Sequence, residues 1–268
     1  MFQITIPFLY LVAAVAFATS RLQPDSPRVG LMRSGAFLFA IVAVAMHGIT
    51  LVDSLTHGGA IHVSLLSSIS LIGLQLAIIG TLAAIDADLR GVSAGLIVLA
   101  APTALATKPD IAVVAGSGLS WQLQTHVFTA MFAYGLLTAG AIVAIYALVQ
   151  DRRLQAARLS VVNQLFAPLE TTERVLYGVT TIGITVLAAS ILLGITFVEN
   201  LFAQHLVHKT VLSLLALIVF GILLAGRHFA GWRGKRAVYL YLGGFALLFL
   251  GYFGSRVILE VLLNRSWG

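Results

Sequence analysis

Seven histidines and no cysteine define the chemistry open to this 268-residue chain. Without thiolates there is no disulfide, no Cys-ligated zinc, no iron–sulfur cluster and no thioether-linked haem. Metal chemistry falls to histidine, methionine and ten carboxylates. The sequence holds no HExxH, no glycine-rich phosphate loop and no GxSxG, and no apolar stretch buries a close carboxylate pair. What remains is imidazole chemistry, and the positions of the histidines sort it.

His47, His126 and His208 lie within or at the start of long apolar segments, where an ionisable side chain is costly and marks a functional candidate by default. His57 and His62 fall in the polar stretch after the second apolar segment, and His205 just precedes the seventh. His228, beside Arg227 and the run GWRGKR, is expected to face anionic headgroups. Neutral imidazole is a good iron ligand that needs no charge neutralisation. Two histidines at one depth on facing helices can therefore give one haem iron two axial nitrogens, and His126 and His208 are the pair whose depths agree. The bland reading leaves each hydrogen-bonded to a neighbouring helix. Arg256, with Glu260 four residues on, either pairs internally or holds a propionate or other anionic group.

The elements that must position these side chains follow from composition. The chain is 59% apolar and 10% charged, against about 45–50% and about a quarter in soluble domains. That excess of apolar side chain has to face lipid. Eight segments suit a crossing of the bilayer, near 4–20, 35–54, 63–85, 91–107, 122–149, 173–197, 207–226 and 237–262. The expected fold is an all-α polytopic membrane protein, one transmembrane domain over 1–268, with eight helices. The first segment lacks a positive charge before it and carries Arg21, Arg28 and Arg33 after it, so it reads as a spanning helix rather than a cleaved signal.

Most of the 16 basic residues then fall on one side: Arg21, Arg28, Arg33, Arg90, Arg152, Arg153, Arg158, Arg174, Arg227, Arg233, Lys235 and Arg236. Lys108, Lys209, Arg256 and Arg265 fall on the other. The rich side is expected to be cytoplasmic, with both termini outside and every histidine but His228 at or near the outer face. The same bias accounts for the net charge of +6 without nucleic acid. The connection from Asp151 to Thr172 reads either as a helix along the membrane surface or as an extension of the fifth span. After Pro168, Thr171 or Thr172 is the expected start of the sixth.

Several segments are similar to the cytochrome c assembly proteins of CcsA and CcmC type. THVFTAMFAYGLLTAGAIVAIYAL, with His126 and Tyr134, resembles a histidine-bearing helix of that family. HKTVLSLLAL from His208, GWRGKRA from Gly231, GYFGSR ending at Arg256 and PLETTERVLYG from Pro168 resemble its closing half. The resemblance spans nearly the whole chain and is strongest to the short, YpjD-like branch. It implies an eight-span protein of the bacterial inner membrane that handles haem at its outer face, with outer histidines as axial ligands. On that resemblance His126 falls where an outer haem-ligating histidine sits, His208 falls near the second outer position and His47 matches a recurrent early-helix histidine. The expected cofactor is a non-covalent haem b ligated by His126 and His208, with His47 and Arg256 as further candidates to bind it. One departure matters: the family's tryptophan-rich WWD-type motif has no counterpart, since Trp121, Trp232 and Trp267 are scattered.

The expected function is haem handling or cytochrome c maturation by a binding protein rather than an enzyme. Its expected partners are haem, the bilayer and other membrane or maturation proteins. A small-solute or ion transporter with a histidine-lined vestibule, and a regulatory partner of haem synthesis, are the rival readings.

Overall fold

The computed structural model describes residues 2–56, 64–106, 121–156, 161–197 and 207–254. Eight α-helices follow in order: α1 Phe2–Leu22, α2 Val29–Leu55, α3 Leu65–Ala83, α4 Arg90–Thr103, α5 Trp121–Gln155, α6 Leu169–Phe197, α7 Val207–Ala230 and α8 Lys235–Phe249. No strand occurs among the described residues. Seven helices are long and apolar enough to cross a membrane, and the segment Arg90–Ala106 is apolar but shorter. The all-α polytopic class expected from composition is the observed one.

The helices pack as two compact units, Met1–Ser120 with Tyr146–Val175, and Trp121–Ile145 with Leu176–Gly268. In the first, α1 lies against α2 and α4, and α3 against α2 and α4. On α1, Ile6, Tyr10, Ala13, Ala14 and Phe17 recur at helical spacing and are buried. The facing stripe of α2 is Ala36, Ala40, Ala43, His47 and Leu51, whose alanines let the backbones approach closely. Ile4, Phe8 and Val15 point outward from α1 and are exposed, an arrangement that only a lipid surround makes tolerable. α3 starts with a capping box: Ser64 Oγ accepts from the Ser67 amide at 3.1 Å and Ser67 Oγ from the Ser64 amide at 2.8 Å. Close contact of α3 with α4 depends on Gly73, where a Cβ would lie 1.6 Å from Thr103 Oγ1.

In the second unit α7 packs on α8 through Phe220 and Tyr241, edge to face at 5.1 Å between ring centroids. Tyr241 donates its hydroxyl to the Leu137 carbonyl at 2.9 Å and thereby ties α8 to α5. Tyr134 likewise donates to the Leu248 carbonyl. Antiparallel order is fixed at both ends of α6. Phe197 at its C-terminus meets Trp121 at the start of α5, and Tyr177 near its start reaches Trp232 beyond the end of α7.

One boundary settles between the two readings the sequence left open, and one differs from expectation. α5 runs on to Gln155, whose amide reaches both carboxylate oxygens of Asp151 at 3.1 and 3.3 Å, so DRRLQ extends the fifth span. α6 begins at Leu169 rather than at a threonine: the Pro168 carbonyl accepts from the Thr172 amide at 3.0 Å and from its hydroxyl at 3.2 Å. Thr172 is therefore buried inside the first turn and does not cap it.

Candidate functional site

His126 stands on the second turn of α5, one helix away from a matching notch on α6. Ser190 and Gly194 are one turn apart on α6, and Gly194 lacks the side chain that would block access to the Ser190 carbonyl. A Cβ at Gly194 would lie 3.0 Å from His126 Cε1. Through that gap the His126 ring places Nδ1 2.9 Å from the Ser190 carbonyl oxygen. A carbonyl can only accept, so Nδ1 carries the proton and Nε2 keeps the lone pair. Histidines that bind metals are oriented in this way, with the far ring nitrogen donating to a backbone carbonyl or carboxylate.

His208 is the second residue of α7 and shares the same unit. It lies at the same end of it, since the chain leaves α6 at Phe197 beside Trp121 and returns as α7 at Val207. Its Nε2 is shielded from solvent and has no hydrogen-bond partner. Buried polar atoms are nearly always paired, so an orphaned imidazole nitrogen in a lipid-embedded helix calls for an acceptor, a donor or a metal. Among the described residues this end of the unit thus holds two imidazoles, one with a ligating nitrogen set by its tautomer and one with an unsatisfied nitrogen. Among the described residues no group of three or more His, Cys, Asp or Glu gathers around a common point. A cation held only by protein side chains has no cage there, whereas a macrocycle that brings four nitrogens of its own needs only one or two protein ligands.

His47 belongs to the first unit and is fully buried. Its Nδ1 is 3.1 Å from the Tyr10 hydroxyl on α1 and its Nε2 is 2.9 Å from the Ser70 hydroxyl on α3. A neutral imidazole has one N–H and one lone pair, so one hydroxyl donates and the other accepts, and the ring is satisfied. Tyr10 also meets the ring edge-on at 5.9 Å between centroids. His228 is exposed in the last turn of α7. His57, His62, His205, Arg256 and Glu260 lie outside the described residues.

Three partners were not singled out by sequence reasoning. Ser190, acting through its backbone, has no side-chain signal, whereas Gly194 on the same turn was a weak one. Tyr10 and the buried serines of α3 were visible as polar residues in apolar helices, but pairing them with His47 needs the tertiary fold. Asp88, between α3 and α4, makes an ion pair with Arg21 at 2.9 Å, and Arg21 Nε donates to the Gln164 carbonyl at 3.1 Å.

Comparison with known proteins places these features in context. Residues 31–263 match the family described as cytochrome C assembly protein. The inner membrane protein YpjD of Escherichia coli strain K12 is 30% identical over 96% of this chain and 99% of its own length. An uncharacterized 28.8 kDa protein of Azospirillum brasilense, named for the nifR3-like 5' region, is 29% identical over 63% of each chain. No solved structure matches.

Proposed function

The chain belongs to the cytochrome c assembly protein family, and from that membership we propose that it binds haem non-covalently between His126 and His208 and assists haem handling or cytochrome c maturation. It is a multi-pass inner-membrane protein, in keeping with its apolar helices and with the relative that carries that name. The observation that carries the haem reading is the state of two imidazole nitrogens: the Ser190 carbonyl fixes the His126 tautomer, and His208 Nε2 is buried without a partner.

Bound haem supplies a redox-active iron and a large apolar macrocycle with two carboxylates. The protein's part is to supply nitrogen ligands, to orient them and to keep water away. His126 is pre-set by its Nδ1–H bond, which removes the need to reorganise the ring on binding. His208 gains a partner for a nitrogen that otherwise has none. Arg256 serves in this reading as the counter-charge to a propionate. His47 enters as the polar tie of α1 and α3 to α2, and a haem-linked role for it requires Tyr10 or Ser70 to release a ring nitrogen.

Trp121, Trp232 and Trp267 are scattered along the sequence, which supports holding or relaying haem rather than presenting it to an apocytochrome. The activity proposed is binding, with no bond-making step assigned to the chain. Haem titrated into the detergent-purified protein should give a saturable Soret band with about one haem per chain as wild type. His126→Ala and His208→Ala should each lose that saturable phase or shift it towards high spin.

A further inference from the structure

The opposite end of the second unit gathers cations onto aromatic faces. Gly231 and Gly234 both adopt φ +62°, in the left-handed region that favours glycine, and they fold the segment between α7 and α8 into a tight turn. That turn brings the Trp232 amide 3.1 Å from the Gly226 carbonyl and lays the indole on Gly226, where a Cβ would lie 2.1 Å from ring carbon Cε3. The Tyr177 hydroxyl donates to the Trp232 carbonyl at 2.7 Å. The Arg227 guanidinium sits 4.8 Å from the centroid of the Tyr177 ring, and that of Arg236 sits 3.7 Å from the Trp232 ring.

Stacking satisfies the faces of these guanidinium groups but not their N–H donors. Arg227 Nη1 is shielded from solvent and has no hydrogen-bond acceptor. The described residues of this unit contain no Asp or Glu, and the nearest carboxylate along α6 is Glu173, one turn before Tyr177. A buried, unpaired guanidinium donor is costly, and an anion brought by another molecule would relieve that cost. The planar fork of arginine matches the oxygens of a phosphate group, and aromatic stacking holds the fork in place.

The surroundings select the kind of phosphate. Trp232 and Tyr177 are residues that favour the headgroup level of a bilayer, and the turn lies where one apolar helix ends and the next begins. Leading up to it, Ile218, Ile222 and Phe229 form an exposed apolar stripe on α7 at helical spacing, a track for an acyl chain. We propose that Arg227, Arg236 and Trp232 form a binding site for the phosphate of an anionic phospholipid at the junction of α7 and α8. Basic pockets at helix ends take such headgroups through the same combination of charge and interface position.

The test uses the full chain in nanodiscs and in detergent. Wild-type protein from discs of phosphatidylcholine doped with phosphatidylglycerol should retain phosphatidylglycerol through detergent exchange, read by native mass spectrometry, and should melt higher than protein from phosphatidylcholine alone. Arg227→Gln and, separately, Arg236→Gln should weaken retention about fivefold, the factor that one cation at a membrane surface contributes. Arg152→Gln, on another cytoplasmic-side helix end, should retain lipid as wild type does. If Arg227→Gln does not fold, Arg236→Gln decides, since Arg236 is an exposed residue on the first turn of α8. Unchanged retention in the folded variants overturns the site. Equal stabilisation of lipid-free protein by inorganic phosphate, lost in the same variants, overturns the lipid as its source.

Discussion

The Nδ1–H of His126 donates to the Ser190 carbonyl at 2.9 Å across a gap that Gly194 leaves open. This bond sets which nitrogen of His126 can meet an iron, so the notch on α6 is as much a part of the proposed site as the histidine itself.

Gly194→Ala tests that relationship without touching either ligand. The new methyl group would start 3.0 Å from Cε1, closer than ordinary contact, and the ring would have to tilt or withdraw from Ser190. Overpacking of this kind costs about 1–3 kcal/mol. The expected outcome is a lower haem-to-protein ratio on purification, with insertion into the membrane unchanged. A wild-type ratio would mean that the ring does not depend on this seat.

His208→Ala and His47→Ala should part company in stability. The His208 Nε2 has no hydrogen bond to lose, so its removal strands no partner and should lower the thermal midpoint of the haem-free protein much less than His47→Ala does. His47→Ala strands the Tyr10 and Ser70 hydroxyls in a closed interior and opens a cavity beside them. At about 1–3 kcal/mol for each of the two stranded groups, a loss of about 2–6 kcal/mol is expected. Differential scanning fluorimetry of both variants without haem checks the contrast, and equal midpoints would contradict it.

The reach of the sequence differs between the two histidine positions. The eight apolar segments were legible because lipid demands long apolar runs whatever the packing, and the helices occupy them to within a few residues at most ends. The same runs put His126 in the second turn of α5 and His208 at the start of α7. What His47 touches was not, since its partners come from residues 37 positions before it and 23 after it. The cost of burial flagged all three histidines alike. Only hydrogen-bond inventory separates the satisfied ring of His47 from the orphaned nitrogen of His208. α6 starts before the threonines because the Thr172 hydroxyl donates back to the Pro168 carbonyl from inside the first turn instead of accepting from an amide as a cap would.

Arg256→Ala should weaken haem retention while leaving the ligand spectrum of bound haem nearly unchanged. A charge-assisted contact to a propionate is worth about 1.5–3 kcal/mol, which raises the dissociation constant by about tenfold or more. Competition with apomyoglobin measures that constant. If Arg256→Ala and Glu260→Gln instead fail to insert in the same way, the two residues form a structural pair and the propionate role falls.

The bias of basic residues predicts that both termini face the periplasm. A reporter that is active only in the cytoplasm, fused after Gly268, should give no signal, and one active only in the periplasm should give a strong one. The reverse pattern would move His126 and His208 to the cytoplasmic end of their helices.

The most direct measurement for the account as a whole is the reduced-minus-oxidised absorption spectrum of the protein purified from haem-replete cells. Two imidazole ligands predict a low-spin spectrum, with a sharp Soret band and resolved α and β bands on reduction. His126→Ala and His208→Ala should each convert it to a high-spin form or abolish it, while His57→Ala should leave it intact. A wild-type protein that stays colourless after purification and after haem titration, or a spectrum that neither His126 nor His208 alters, would contradict ligation by this pair.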